Sequence, residues 1–201
     1  MERVADEIAA LLSDRGITRC DVVGYSMGGR LALHLAVRFP ARVGRLVLVG
    51  ASPGLSSVEE REQRARADLE LARLLEEKGI EWFVEHWESL PLLATQATLP
   101  EARRRQLRAQ RMAQDPHALA ACLRAFGTGF QRSLHPDLPG LAVPVLLVVG
   151  EQDLRYREIA RTMQSVLPDA QLAIVPGAGH AVHLEQPERF VQLLKAFLAQ
   201  D

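Results

Sequence analysis

Apolar residues in the first stretch of the chain recur at helical spacing. Val4, Ile8, Leu11 and Leu12 share one face, and Gly16 follows where a left-handed C-terminal cap would sit, so the chain opens with a helix. A short apolar run, Cys20-Asp21-Val22-Val23-Gly24-Tyr25, then ends abruptly at Ser26. After Gly28-Gly29 the segment 30–38 returns to helical spacing until Pro40 stops it, which reads as strand, sharp turn, helix. Segments 45–49, 143–149 and 171–175 are further short runs rich in Val, Leu and Ile and predict buried strands. Helical stretches separate them, so the sheet is predicted to be parallel and the fold class α/β.

Between the second and third strands, segment 55–139 has no strand-like run and many charges at helical spacing, which predicts a helical lid inserted into a core formed by 1–54 and 140–201. Turn-forming clusters mark its edges, Ser52-Pro53-Gly54 on one side and His135-Pro136-Asp137-Leu138-Pro139-Gly140 on the other. A length of 201 residues suits one domain with a small appended subdomain, and 48% hydrophobic with 24% charged residues is the balance of a globular protein. The net charge of −1 gives no global attraction to nucleic acid or to an anionic membrane. Arg103-Arg104-Arg105 lacks interleaved aromatics and reads as a solvated helix face. Cys20 and Cys122 lack a CxxC or CxxH neighbour, which argues against a metal or redox motif, and both read as buried small hydrophobes. The acidic, amphipathic N-terminus is unlike a signal peptide, and no apolar run is long enough to span a bilayer, so the expected location is cytoplasmic.

Gly24-Tyr25-Ser26-Met27-Gly28 matches G-x-S-x-G in the context that gives the motif meaning, with a strand before it and a helix after it. The glycines suit a crowded turn that exposes the Ser26 hydroxyl, and the helix N-terminus favours developing negative charge, with Met27 N–H as one oxyanion donor. A serine hydroxyl is a weak nucleophile and a weak base near neutral pH, so it needs an imidazole that is itself oriented by a carboxylate. Asp153 follows the third strand, in the loop where ligands meet open α/β sheets, with Glu151 as its rival. Pro176-Gly177-Ala178-Gly179-His180 follows the fourth strand and supplies the base. His183 forms an HxxH pair with His180, but no full ligand set surrounds it and no metal is expected. Glu185 with Pro187 reads as the start of the last helix, and His34, His86, His117 and His135 read as surface or lid residues.

These motifs in this order resemble the α/β-hydrolase superfamily over essentially the whole chain. Gly-Tyr-Ser-Met-Gly-Gly-Arg at 24–30, Ser52-Pro53-Gly54-Leu55, the Glu-Arg-x-x-Arg-x-Arg-x-Asp pattern ending at Asp68, and Trp87 ahead of Pro91 resemble one branch of it, the 2-succinyl-6-hydroxy-2,4-cyclohexadiene-1-carboxylate synthases. These are lyases of menaquinone biosynthesis. The resemblance implies a small substrate with several carboxylates, held by Arg30, Arg64 and Arg111, with Tyr25 and Trp87 lining the pocket. Arginine suits that task because its guanidinium binds carboxylate bidentately and stays charged when partly buried. The resemblance further implies that Ser26, activated by His180 and Asp153, removes a ring-associated proton and that pyruvate leaves, with no acyl-enzyme and no cofactor. It also implies additional strands before the elbow and a second oxyanion N–H from an HG-containing loop. The chain is therefore expected to be N-terminally truncated by roughly 50–80 residues. The strand of Ser26 would then lie at one end of the sheet with an exposed edge, prone to poor solubility or partner pairing. Two alternatives stay open: a serine hydrolase with the same triad, acting on esters or carbon–carbon bonds, and a non-catalytic fragment that binds a ligand or partner.

Overall fold

The computed structural model describes residues 1–200. In chain order the elements are α1 (Glu2–Asp14), β1 (Cys20–Tyr25), α2 (Met27–Arg38), β2 (Val43–Val49), α3 (Val58–Glu88), α4 (Glu101–Met112), α5 (Pro116–Phe126), β3 (Val145–Gly150), α6 (Leu154–Val166), β4 (Ala170–Val175), α7 (Val182–Glu185) and α8 (Pro187–Leu198). Short 3-10 helices at Pro40–Arg42, Pro91–Thr98, Thr128–Phe130 and His135–Gly140 join them.

The strands form one sheet in the order β1-β2-β3-β4, every pair parallel. Val22 lies opposite Leu46, Leu46 opposite Val145, and Val145 opposite Ala170, so the strands run in step and their C-terminal ends share one edge. Alternation across the pleat explains the unbroken apolar runs of β2 and β3. Leu46, Leu48, Val145 and Leu147 pack in a core cluster with Ala5 of α1, Leu33 of α2 and Met163 of α6. Val47, Leu146 and Val148 turn to the other face and pack with Val182 and with Phe197 of α8. Both faces of these inner strands are covered from Leu46 to Val49 and from Val145 to Val149, so those stretches are apolar at every position. β1 lies at the end of the sheet, and its Val23 is 47% exposed.

The described residues divide into two compact units, residues 1–53 with 134–200 and residues 54–133. The second boundary falls earlier than the turn cluster suggests, because Leu134 N–H donates to Pro53 O at 2.8 Å and Leu134 and Leu138 are buried in the sheet unit's core. The 3-10 helix over 135–140 therefore belongs with the sheet. In the helical unit, α3 is broken at Gly79, whose φ of 81° is left-handed, and Ala72 and Leu75 pack with Ala120 of α5. Among the described residues no helix is long and apolar enough to cross a membrane. His34 corrects the sequence reading: it lies on the inner side of α2, fully buried at 1% exposure. Cys20 and Cys122 are free thiols and only half-buried.

Candidate active site

Ser26 stands between β1 and α2 with φ 49° and ψ −111°. Among the described residues it is the one non-glycine with a positive φ, a conformation that costs about 1–3 kcal/mol and persists only where its surroundings impose it. They do so through the backbone: Ser26 N–H donates to Val49 O at 2.8 Å, and Ser26 O accepts Arg30 N–H at 3.0 Å. The turn is tight enough that a Cβ on Gly24 would lie 2.5 Å from Gly28 O, and one on Gly29 would lie 2.5 Å from the Ala51 Cβ. Serine is a favoured helix N-cap, yet the Ser26 hydroxyl makes no capping hydrogen bond. It lies instead 3.0 Å from His180 Nε2.

Across the imidazole, His180 Nδ1 is 2.7 Å from Asp153 Oδ2. An ionised carboxylate only accepts, so the proton sits on Nδ1, and Nε2 is left as the acceptor for the Ser26 hydroxyl. Both partners are withdrawn from water, His180 to 3% exposure and Asp153 to 7%. The other carboxylate oxygen of Asp153 accepts Tyr156 N–H at 3.2 Å and caps α6. The position at the end of β3 thus both starts a helix and orients an imidazole. Tyr156, which the sequence did not single out, lays its ring 4.6 Å from that of His180. Glu151, the rival carboxylate, is turned elsewhere and accepts Gly177 N–H at 3.1 Å.

Tyr25 and Arg30 lie on the same unit as these three residues. The Tyr25 ring sits 5.3 Å from His180 and 4.5 Å from His183. Arg30, one helical turn after Ser26, is 8% exposed. Met27 opens α2, so its N–H has no intrahelical acceptor and faces the turn. His183 packs between the rings of Tyr25 and Phe190, and burial lowers its pKa, with Glu185 opposing and His180 adding to the shift. Among the described residues no group of three His, Cys, Asp or Glu is disposed to hold a metal ion.

Arg64, Trp87 and Arg111 belong to the helical unit, where each has partners of its own. Arg64 Nε donates to the buried Asp68 at 2.8 Å. Arg111 donates to Glu88 at 2.9 Å and to Gln96 at 2.6 Å. Trp87 stacks on Phe83 at 5.5 Å. Arg111 also lines a cavity of about 380 Å³ inside this unit, together with Leu93, Gln96, Arg104, Arg105 and Arg108.

Residues 1–193 match the model of the alpha/beta hydrolase family. Over 98% of its length the chain is 38% identical to the Bacillus subtilis protein that carries the provisional name 2-succinyl-6-hydroxy-2,4-cyclohexadiene-1-carboxylate synthase, and it spans 72% of that protein. Among solved structures, MenH from S. aureus superposes with a TM-score of 0.94 at 34% identity, covering 98% of this chain and 74% of the other. A thermophilic esterase from Thermogutta terrifontis superposes with a TM-score of 0.82 at 28% identity, covering 98% of this chain and 71% of its own. On the parallel sheet, the strained serine at the end of β1 and these matches, the chain belongs to the alpha/beta hydrolase family.

Proposed function

We propose that the chain is a lyase that eliminates pyruvate from 2-succinyl-5-enolpyruvyl-6-hydroxy-3-cyclohexene-1-carboxylate to give 2-succinyl-6-hydroxy-2,4-cyclohexadiene-1-carboxylate in menaquinone biosynthesis, with Ser26, His180 and Asp153 as a proton relay. The observation that carries this reading is the connected hydrogen-bond line from the strained Ser26 through His180 to Asp153, at 3.0 and 2.7 Å, in a chain 38% identical to a protein bearing that synthase name. His180 takes the Ser26 hydroxyl proton, and the Ser26 oxygen takes a ring-associated proton from the substrate. The electron pair released moves through the ring, breaks the bond to the enolpyruvyl oxygen, and the leaving group takes up a proton to become pyruvate. Met27 N–H stabilises developing negative charge. Arg30, four residues after Ser26 and 8% exposed, holds a carboxylate of the substrate, and Tyr25 flanks the ring.

The test is incubation with the enolpyruvyl precursor, following pyruvate release together with a new conjugated-diene absorbance. Ser26→Ala is expected to abolish both. A second reading, a serine hydrolase, is favoured by the similarity to an esterase of the same fold. Covalent labelling of Ser26 by a fluorophosphonate with turnover of simple aryl esters, and no pyruvate release, would select it. A chain without either activity, whatever stands at position 26, would be a binding fragment.

A further inference from the structure

The loop between β4 and α7 carries His180 and is rich in glycine, with Gly177 and Gly179 ahead of the imidazole. Two glycines give such a segment more backbone freedom than it would have without them, yet a proton relay needs its imidazole placed to within about 0.5 Å. Part of the restraint comes from the β3 side, where Gln152 N–H donates to Ala178 O at 2.9 Å. The restraint closest to the imidazole is a carboxylate. Glu185 Oε2 accepts Gly179 N–H at 2.7 Å, and Glu185 Oε1 accepts Ala181 N–H at 3.1 Å. One carboxylate therefore holds the backbone on both sides of His180 with charge-assisted hydrogen bonds, which are about twice as strong as neutral ones. Glu185 is not the cap of the last helix: Gln186 occupies that position ahead of α8, and the Glu185 side chain points back along the chain. Its own backbone is tied to the same loop, since Glu185 N–H donates to Ala181 O at 3.0 Å.

We propose that Glu185 is a positioning residue for the reaction, fixing the loop so that His180 stands between Ser26 and Asp153. The inference rests on the relay reading of those three residues. Removing the carboxylate frees the Gly179 and Ala181 amides on either side of the imidazole, while Glu151 still holds Gly177 N–H, so the imidazole spends less time in register while substrate binding is left alone.

The test compares the parent chain with Glu185→Ala, Glu185→Gln and His180→Ala, using kcat and KM for the pyruvate elimination and the downfield proton resonance of the imidazole Nδ1–H. The expected result is a resonance that His180→Ala removes and that Glu185→Ala broadens through faster exchange. The kcat of Glu185→Ala should fall roughly 10- to 100-fold while KM stays within about twofold. Glu185→Gln keeps one acceptor oxygen and should lie between; it also decides the case if the alanine variant does not fold. An unchanged kcat and resonance in Glu185→Gln would overturn the proposal, as would a rise in KM at constant kcat. In those outcomes the relay reading stands, because the parent still shows the His180 resonance. A parent without that resonance would remove the relay itself and this inference with it.

Discussion

Replacing Asp153 by asparagine changes the relay with almost no change in shape, and two separate consequences follow. Asp153 makes one hydrogen bond with each oxygen, accepting His180 Nδ1–H at 2.7 Å and Tyr156 N–H at 3.2 Å. If the asparagine oxygen stays on Tyr156, the amide N–H₂ faces Nδ1. The imidazole proton must then move to Nε2, and His180 can no longer accept from Ser26. If the amide flips, the tautomer is rescued, but N–H₂ now opposes the Tyr156 N–H at the start of α6. Leaving those donors unpaired costs about 1–3 kcal/mol, a population penalty of about 5- to 150-fold. In either orientation the negative charge that would stabilise the imidazolium is gone from a buried site. The combined loss in kcat is expected to be about 10³- to 10⁴-fold. Stability should change by only about 1 kcal/mol, because asparagine caps helices as well as aspartate does. Glu151→Gln is the control: its side chain accepts Gly177 N–H from outside the relay, so its kcat should stay within about threefold of the parent. The assay is pyruvate release under saturating substrate, with the unfolding midpoint measured on the same preparations. An Asp153→Asn variant within tenfold of the parent, or a Glu151→Gln variant equally impaired, would refute the assignment of Asp153.

Arg30→Ala, at a site 8% exposed and one turn beyond Ser26, should raise KM for the anionic substrate roughly 10- to 100-fold; unchanged kinetics would remove Arg30 from the binding site. Gly150→Ala should destabilise the fold by more than about 2 kcal/mol, read as a lowered unfolding midpoint, because its Cβ would overlap the Ala178 and Gly179 carbonyls. A variant that unfolds with the parent would show that the two loops are not tightly packed. His183 is held neutral by burial, so its pKa in the fold lies below the ordinary value of about 6.5 and its unfolded form binds the extra proton. Stability from this group is complete above about pH 6.5 and is lost as the pH falls through its lowered pKa. The pH slope of the unfolding free energy below about 6.5 should therefore flatten in His183→Gln.

Elements whose signal is local were legible in the sequence. The apolar runs of β2 and β3 come from strands covered on both faces, and the elbow announces itself because a crowded turn demands glycine at 24 and 29. Chain order located the loops after β3 and β4, which the parallel sheet brings to one edge. Choosing between Glu151 and Asp153 required the path of the backbone: both are carboxylates in one short loop, and only the α6 cap turns Asp153 toward the imidazole. Tyr156 was passed over and Glu185 was read as the start of the last helix, because a ring face and hydrogen bonds to backbone amides leave no pattern in residue type. His34 was misread for a related reason, since a single polar residue does not reveal which side of α2 faces the sheet. The pairing of Arg64 with Asp68 carried a trace in the sequence, an i to i+4 spacing, but only the structure shows Asp68 at 2% exposure, which makes it more than a surface pair.

The backbone at Ser26 offers a way to separate what the position does for folding from what it does for chemistry. A residue at φ 49° and ψ −111° carries about 1–3 kcal/mol of strain, and alanine retains that strain while deleting the hydroxyl. Glycine relieves it, at a cost of about 0.5–1 kcal/mol for the extra freedom of the unfolded chain. Ser26→Gly should therefore be more stable than Ser26→Ala by up to about 2 kcal/mol, or several degrees in unfolding midpoint at about 2–4 °C per kcal/mol for a chain of this size. Both variants should be equally inactive. This pairing is the signature of strain kept for the sake of the hydroxyl, because a turn selected only for folding would already hold glycine, as its neighbours at 24, 28 and 29 do. A glycine variant less stable than alanine would show that the turn at Ser26 is relaxed and that its geometry needs no functional cause.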